Sequence, residues 1–277
     1  LVCYAGASAD AGATISGYTV NASYYVSIYT PNGGTQSILT TNRHQGVPSG
    51  GTAYTIKPSV SGIITLDYYT RVDGLEITDW GYTSGTRFAV GDSTAACDYK
   101  TVSNCLLHTP RNAGATALYG IQTSVGSDGC NIFNNIVYGI NFSGVTCIGI
   151  QCARTSNVYN NTVYNVDTGI YTTDSGTPLL KNNAVFNTDT ADYSGTFSTS
   201  GSNNASQDGT APGTDIDLSG YTASAIWTDA ANGDFSIVDT DSPLYDAGTD
   251  LSAYFTTDIA GTTRSSWDIG AFEYVAP

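Results

Sequence analysis

The chain has 277 residues, and 24 Asp and Glu against nine Lys and Arg give it a formal net charge of −15 at pH 7. A nucleic-acid reader needs a basic stripe to displace counterions, and this composition excludes one. With 31 Gly, 20 Tyr, no Met and no apolar run of roughly 18 residues, the chain also excludes a membrane-spanning helix.

In chain order, Tyr24 to Tyr29 reads as a first short strand, and Arg43-His44 as a polar loop. Thr70 to Thr78 reads as a coil with Gly74 at its turn and Leu75 and Ile77 pointing inward. Asp67, Asp73, Glu76 and Asp79 lie close together here, flanked by Tyr68, Tyr69 and Trp80. If this strand runs unbroken, alternation puts Asp73 and Asp79 on one face, where two carboxylates could serve a glycoside hydrolase. Otherwise they are exterior positions of one coil.

A repeat then sets in. Val158 to Tyr164 reads Val-X-Asn-Asn-X-Val-Tyr, and close variants stand at Ile132 to Tyr138 and Leu180 to Phe186, with a looser one at Val102 to His108. The leading Asn residues, Asn104, Asn134, Asn160 and Asn182, are spaced by 30, 26 and 22 residues. Apolar β-branched residues flank each pair and no 3.6-residue rhythm is present, so each unit reads as short strands around a tight turn. Units of this period bury their apolar side only by stacking, which defines a β-solenoid. Asn tolerates the left-handed backbone a sharp turn needs, and stacked copies can form a ladder of side-chain amides. Gly120-Ile121, Gly149-Ile150 and Gly169-Ile170 open a second strand in each unit. His108 fills the aromatic slot held elsewhere by Tyr138, Tyr164 and Phe186, which makes it structural.

The fold class expected is all-β, a single-stranded parallel β-helix spanning residues 1–198 with a less regular cap over 199–277. The six cysteines, Cys3, Cys97, Cys105, Cys130, Cys147 and Cys152, lack zinc-ligand spacing and are disulfide candidates, their pairing left open. Asn21, Asn141, Asn160 and Asn204 begin Asn-X-Ser/Thr sequons and are glycosylation candidates. Asp239 and Asp241 could offer carboxylates to calcium, although their spacing matches no defined calcium loop. No cofactor is expected. Leu1 at the start and the absence of Met suggest a mature secreted chain whose leader has been removed.

Beyond the repeat, Asp258 to Arg264 and Trp267-Asp-Ile-Gly-Ala-Phe-Glu-Tyr274 resemble the C-terminal segment of a large group of secreted or surface bacterial right-handed parallel β-helix proteins. Ala230 to Phe235 and Ser242 to Gly248 are similar to the segments preceding it there, and Tyr25 to Pro31, Arg43 to Gly46 and Arg71 to Ile77 to its early coils. The resemblance implies right-handed winding and an extracellular or cell-surface location, and it carries no activity. The aspartate and histidine signatures of polygalacturonases and the Arg-Pro motif of pectate lyases are absent. Members of the group carry sequence before the first coil that this chain lacks, so its first coil should be uncovered and able to accept another chain head to tail. The first functional expectation is a non-catalytic, self-assembling structural protein. The alternative is a carbohydrate-active β-helix, a lyase, hydrolase or glycan-binding module, and a third possibility is a phage or virion fibre. An anionic glycan would be repelled unless calcium or a local Arg/Lys groove intervened.

Overall fold

The computed structural model describes residues 1–3, 13–14, 17–31, 43–50, 52–57, 64–80, 84–92, 98–111, 114–123, 126–172 and 175–276. Strands of successive units pair in parallel and build two sheets that share one interior, a parallel β-helix. The shorter sheet stacks Val26–Tyr29, Thr70–Asp73, Thr101–Ser103, Asn131–Phe133, Asn157–Tyr159 and Leu179–Lys181 in that order. The longer, 13-stranded sheet folds back on itself because Thr162–Tyr171 pairs with Ile136–Ile140 through its first half and with Thr146–Gln151 through its second. Ile140 lies beside Val166 and Ile148 beside Thr168, so the segment 141–147 is replaced by Asp167 alone one unit later. That lost loop is why the repeat shortens from 26 to 22 residues; the earlier shortening falls mainly between Gln122 and Asn131, where eight residues become five between Gln151 and Asn157.

Left-handed residues make the corners. Gly74, Asn104, Asn134, Asn160, Asn182 and Asn203 have φ of 71°, 52°, 53°, 49°, 56° and 54° and form one ridge along the stack. A second ridge runs through Asp79, Thr109, Gly139, Asn165 and Asn187, with φ between 42° and 69°. At a third corner Tyr69 and Tyr99 stack with ring centroids 4.9 Å apart, and a Cβ on Gly129 would collide with the Tyr99 ring.

The interior alternates as a strand must. Val72, Val102, Ile132, Val158 and Leu180 of the shorter sheet point inward with no exposed surface, facing Ile77, Leu107, Val137, Val163 and Val185 of the longer one. A Cβ at Gly120, Gly149 or Gly169 would strike Val137, Val163 or Val185, so these glycines let the walls of the coil approach. The stack also continues past residue 198, where the repeat suggested it ends, because Asn204–Ser206 and Asp215–Asp217 add two more parallel strands. The Asn203-Asn204 pair makes their corner without the aliphatic and aromatic flanks of the earlier copies.

The segment from Leu218 onward folds back over the outer face of the longer sheet. Leu106, Ile136, Tyr138, Ala184 and Phe186 of the coils bury a second core with Trp227, Phe235, Leu244, Ile259, Ile269 and Phe272 of that segment. The aromatic slot of the repeat therefore points out of the solenoid: His108 stacks on Tyr138 at 5.2 Å, and Trp227 meets Tyr164 and Phe186 edge-on.

The cysteines correct the disulfide expectation. Cys105, Cys130, Cys147 and Cys152 are buried free thiols. Three of them donate to the carbonyl two residues earlier, Ser103 at 3.2 Å, Asp128 at 3.8 Å and Val145 at 3.5 Å. Burial pushes Cys105 up to about 12 and Cys147 up to about 11, so neither is a thiolate at neutral pH. Inward thiols fill the coil as small apolar groups. Cys3 is buried as well, and Cys97 lies outside the described residues. Among the described residues no helix is long and apolar enough to cross a membrane.

Candidate functional site

The outer face of the shorter sheet is the open face of the coil. Strand alternation aims two columns of side chains outward: Ser27, Arg71, Thr101, Asn131, Asn157 and Leu179, and beside them Tyr29, Asp73, Ser103, Phe133, Tyr159 and Lys181. Tyr254 and Ala253, from the C-terminal segment, form a wall along this floor and complete a depression of about 330 Å³ with Arg71, Thr101, Asn131, Phe133 and Tyr159. Towards the first coil the face continues into a second hollow of about 410 Å³, lined by Tyr18, Tyr24, Tyr25 and their neighbours. Arg71 joins the two, its guanidinium carbon 3.6 Å from the centre of the Tyr25 ring.

The floor is preorganised. Asn157 donates its amide to Asn131 at 3.0 Å, and the Tyr159 hydroxyl donates to Asn157 at 3.0 Å, so these polar groups hold one orientation. Burial, then the nearby Tyr254, raises the pKa of the Tyr159 hydroxyl, which stays protonated. Tyr254 stands edge-on to Tyr159 at 5.1 Å and remains 57% exposed, leaving a ring face free for a ligand. Behind it Phe255 stacks on Phe133 at 4.7 Å and packs against Trp267 at 5.4 Å, which fixes the wall.

Asp73 lies at the rim of this face, but it is already engaged. Arg43 holds it at 2.9 Å and 3.3 Å, and Ser103 and Asn104 donate to it at 2.8 Å and 2.6 Å. Asp79 is elsewhere. Gly74 breaks the strand that alternation assumed, and Asp79 sits at the second corner, on the order of 15 Å of extended chain further on. There it contacts Arg111 at 3.4 Å and Lys57 at 4.0 Å. A hydrolase needs its two carboxyl groups within about 5–9.5 Å of one another across the sugar, and these two do not assemble that pair.

A polar cluster lies buried beside the first corner. Glu76 accepts from His108 at 3.1 Å and from Ser49 and Thr55. Burial would raise Glu76, but the hydrogen bonds from His108 and Ser49 outweigh it and hold the carboxyl below its usual range. Burial, aided by Arg43, lowers His44 to about 4, so it is neutral and takes the Gly46 N–H on Nδ1 at 3.1 Å. With Glu76, His44 and His108 each at most 7% exposed, the cluster fastens the 43–55 segment to the coils rather than meeting a substrate.

Two sequon expectations are corrected. Asn160 and Asn204 have no exposed surface, and their amides are spent inside the protein, so neither can carry a glycan. Asn21 is exposed, its side chain accepting from Ser23 and Tyr24, and Asn141 donates to Asp189 at 3.1 Å. Asp239 caps the Asp241 N–H at 2.8 Å within an exposed turn, and no group of three metal-ligating side chains occurs among the described residues. Arg71, Lys181 and Tyr254 are site residues the repeat did not reveal. Their sequence signal is position: Arg71 and Lys181 stand three and one residues before the left-handed corner, the slots that point outward.

No family model matches the chain, and no curated protein matches it. Among solved structures it is similar to a crystal structure of the pectate lyase Pel9A, with a TM-score of 0.38 and 14% identity over 96% of this chain and 84% of that one.

Proposed function

We propose that the chain is a glycan-binding β-helix whose ligand lies along the outer face of the shorter sheet. The observation that carries this reading is the wall and floor around Arg71: an exposed Tyr254 ring over a fixed row of amides and hydroxyls, continued by Tyr18, Tyr24 and Tyr25. Aromatic faces pack on sugar C–H surfaces, while oriented amides and hydroxyls pair with sugar hydroxyls. Binding is favoured over cleavage because the face carries one carboxylate, Asp73, and Arg43 neutralises it. Such a protein works where polysaccharide is met, outside the cell. A panel of neutral and acidic oligosaccharides, titrated by calorimetry, tests the reading. Tyr254→Ala is expected to weaken the best ligand roughly three- to tenfold. Binding that survives both Tyr254→Ala and Asn131→Ala would place the site elsewhere.

A further inference from the structure

We infer that the ligand of this face is an acidic glycan whose carboxylate or sulfate groups are widely spaced, engaged at Arg71 and at Lys181. The inference rests on the glycan-binding reading and narrows it. It starts from where the few cations go. Arg43, Lys57, Lys100, Arg111, Arg154 and Arg264 each lie within ion-pair distance of a carboxylate. Arg87 donates to the carbonyls of Ser84 and Thr86. Arg71 and Lys181 have no carboxylate partner among the described residues, and both point outward from the shorter sheet. In a chain with 24 acidic and nine basic residues, an unpaired cation is the exception, and here two share one face.

Their separation describes the ligand. Arg71 is on the second strand of the shorter sheet and Lys181 on the sixth. Four steps of about 4.8 Å put them roughly 19 Å apart along the stack. On the three strands between, Thr101, Asn131 and Asn157 continue the column of Arg71, while Ser103, Phe133 and Tyr159 lead to Lys181 in the neighbouring column, with neutral donors, acceptors and rings and no charge. The surface so laid out alternates cation, neutral stretch and cation. A chain charged at every unit would meet only neutral groups between the two cations, and would also face the repulsion of the overall net charge of −15. Neutral sugars set between acidic ones match the layout. A ligand covering Arg71 displaces its water, and an anionic oxygen replaces that hydration best.

The test uses four octasaccharides with the intact chain: hyaluronan, which alternates a uronate with a neutral amino sugar; the same oligomer with its carboxylates reduced; keratan sulfate sulfated on its amino sugar alone, which alternates a sulfate with a neutral galactose; and a homopolymer of galacturonate. The expected result is binding of hyaluronan or keratan sulfate, at least about tenfold weaker binding of the reduced oligomer, and a loss of about tenfold in Arg71→Gln and again in Lys181→Gln. Whichever of hyaluronan and keratan sulfate binds more tightly assigns carboxylate or sulfate as the group. The affinity should fall as salt rises from 0.05 to 0.5 M, concentrations over which exposed charges become strongly screened. Equal affinity for acidic and reduced oligomers, with Tyr254→Ala still impaired, would overturn the acidic ligand and leave the glycan face standing. Tighter binding of the galacturonate oligomer would overturn the spacing. Failure of all four, and of neutral oligosaccharides, would overturn both readings. Circular dichroism of each variant confirms that the coil is intact, since Arg71 and Lys181 lie on its surface.

Discussion

Each Asn pair in the coils divides two jobs between neighbours. The second Asn turns inward: Asn135, Asn161, Asn183 and Asn204 have no exposed surface, and each of the first three donates its amide to the next at 2.9 Å. The first Asn takes the left-handed turn and aims its side chain out of the stack. Asn134 donates to the Thr257 carbonyl at 2.7 Å, Asn160 to Asp268 and Gly270 at 2.8 and 3.0 Å, Asn182 to Thr249 at 2.8 Å and Asn203 to Ala247 at 2.7 Å. One ladder therefore holds coil on coil; the other, in which Asn134 also donates to Asn104 at 3.2 Å and Asn182 to Asn160 at 3.1 Å, is chiefly a rail to which the C-terminal segment docks. Arg264 reinforces the rail, donating to Asn134 Oδ1 and to the carbonyls of Gly270 and Ala271 while paired with Glu273. At the end of the ridge where that segment does not reach, Arg43 lies over Gly74 and binds Asp73 instead.

If the two ladders differ in this way, breaking them must have different consequences. Asn161→Ala should be the more damaging. It removes an amide that donates to Ile132 O and Asn183 Oδ1, and an oxygen that accepts from the backbone and side chain of Asn135. Several buried partners are left unsatisfied, a loss of about 3–5 kcal/mol. Chemical denaturation should show the whole stack weakened, with hydrogen exchange accelerated in the coils on both sides. A loss under about 1 kcal/mol would mean that the inner ladder is not what joins the coils.

Asn160→Gly should act chiefly on the rail. Glycine keeps the left-handed turn, so the coil survives, while the bonds to Asp268 and Gly270 and the one Asn160 Oδ1 accepts from the Asn182 amide are lost, for about 1–3 kcal/mol. Asn160→Ala adds the strain of a left-handed alanine, about 1–2 kcal/mol more. Limited proteolysis and hydrogen exchange should find residues 244–274 loosened in Asn160→Gly while strands of the shorter sheet stay protected. Equal loosening of both would erase the distinction between the ladders.

The sequence carries the first of these structures better than the second. Paired Asn residues at a shortening interval, with Gly-Ile between them, are enough to infer stacked coils and left-handed corners, because those demands fall on residue type. The rail is invisible in the sequence, because its partners are backbone carbonyls 44 to 123 residues away that any sequence could supply. Cysteines fail for a related reason: a thiol turned into a coil and a thiol in a disulfide look the same until the inward register is known. Asp73 and Asp79 fail because alternation was carried through Gly74, a corner. Arg71 and Lys181 carry no local pattern, and only the pairing of every other cation singles them out.

The smallest expected effect concerns the protonation of the docked segment. Burial raises Asp268 to about 6, although the backbone N–H groups of Tyr274 and Asp246 partly offset it. Burial raises Asp258 as well. A carboxyl whose folded pKa lies above its unfolded value, near 3.9, binds a proton on folding. Its contribution is fully present below that unfolded value and is lost as pH rises through about 6, so the docked segment should be more stable at pH 5 than at pH 7.5. Integrated over this window, a single site at about 6 contributes about 1 kcal/mol. Glu76 has the opposite sign, but its pKa is held below the ordinary carboxylate range, so it stays ionised throughout the window. His44, held at about 4 against 6.5 when unfolded, does oppose Asp268 here, because acidification protonates it only in the unfolded chain. Asp215, pushed up to about 6 by burial and by Asp217, Asp192 and Asp208, adds to the change with the same sign as Asp268. The discriminating measurement is therefore a difference: thermal melts of the parent chain and of Asp268→Asn at both pH values. Acidification should favour the parent over the variant, with the difference concentrated in exchange protection of residues 258–274. If the two chains respond alike, proton uptake is not centred on the rail, and the docked segment is held by its aromatic core and backbone hydrogen bonds alone.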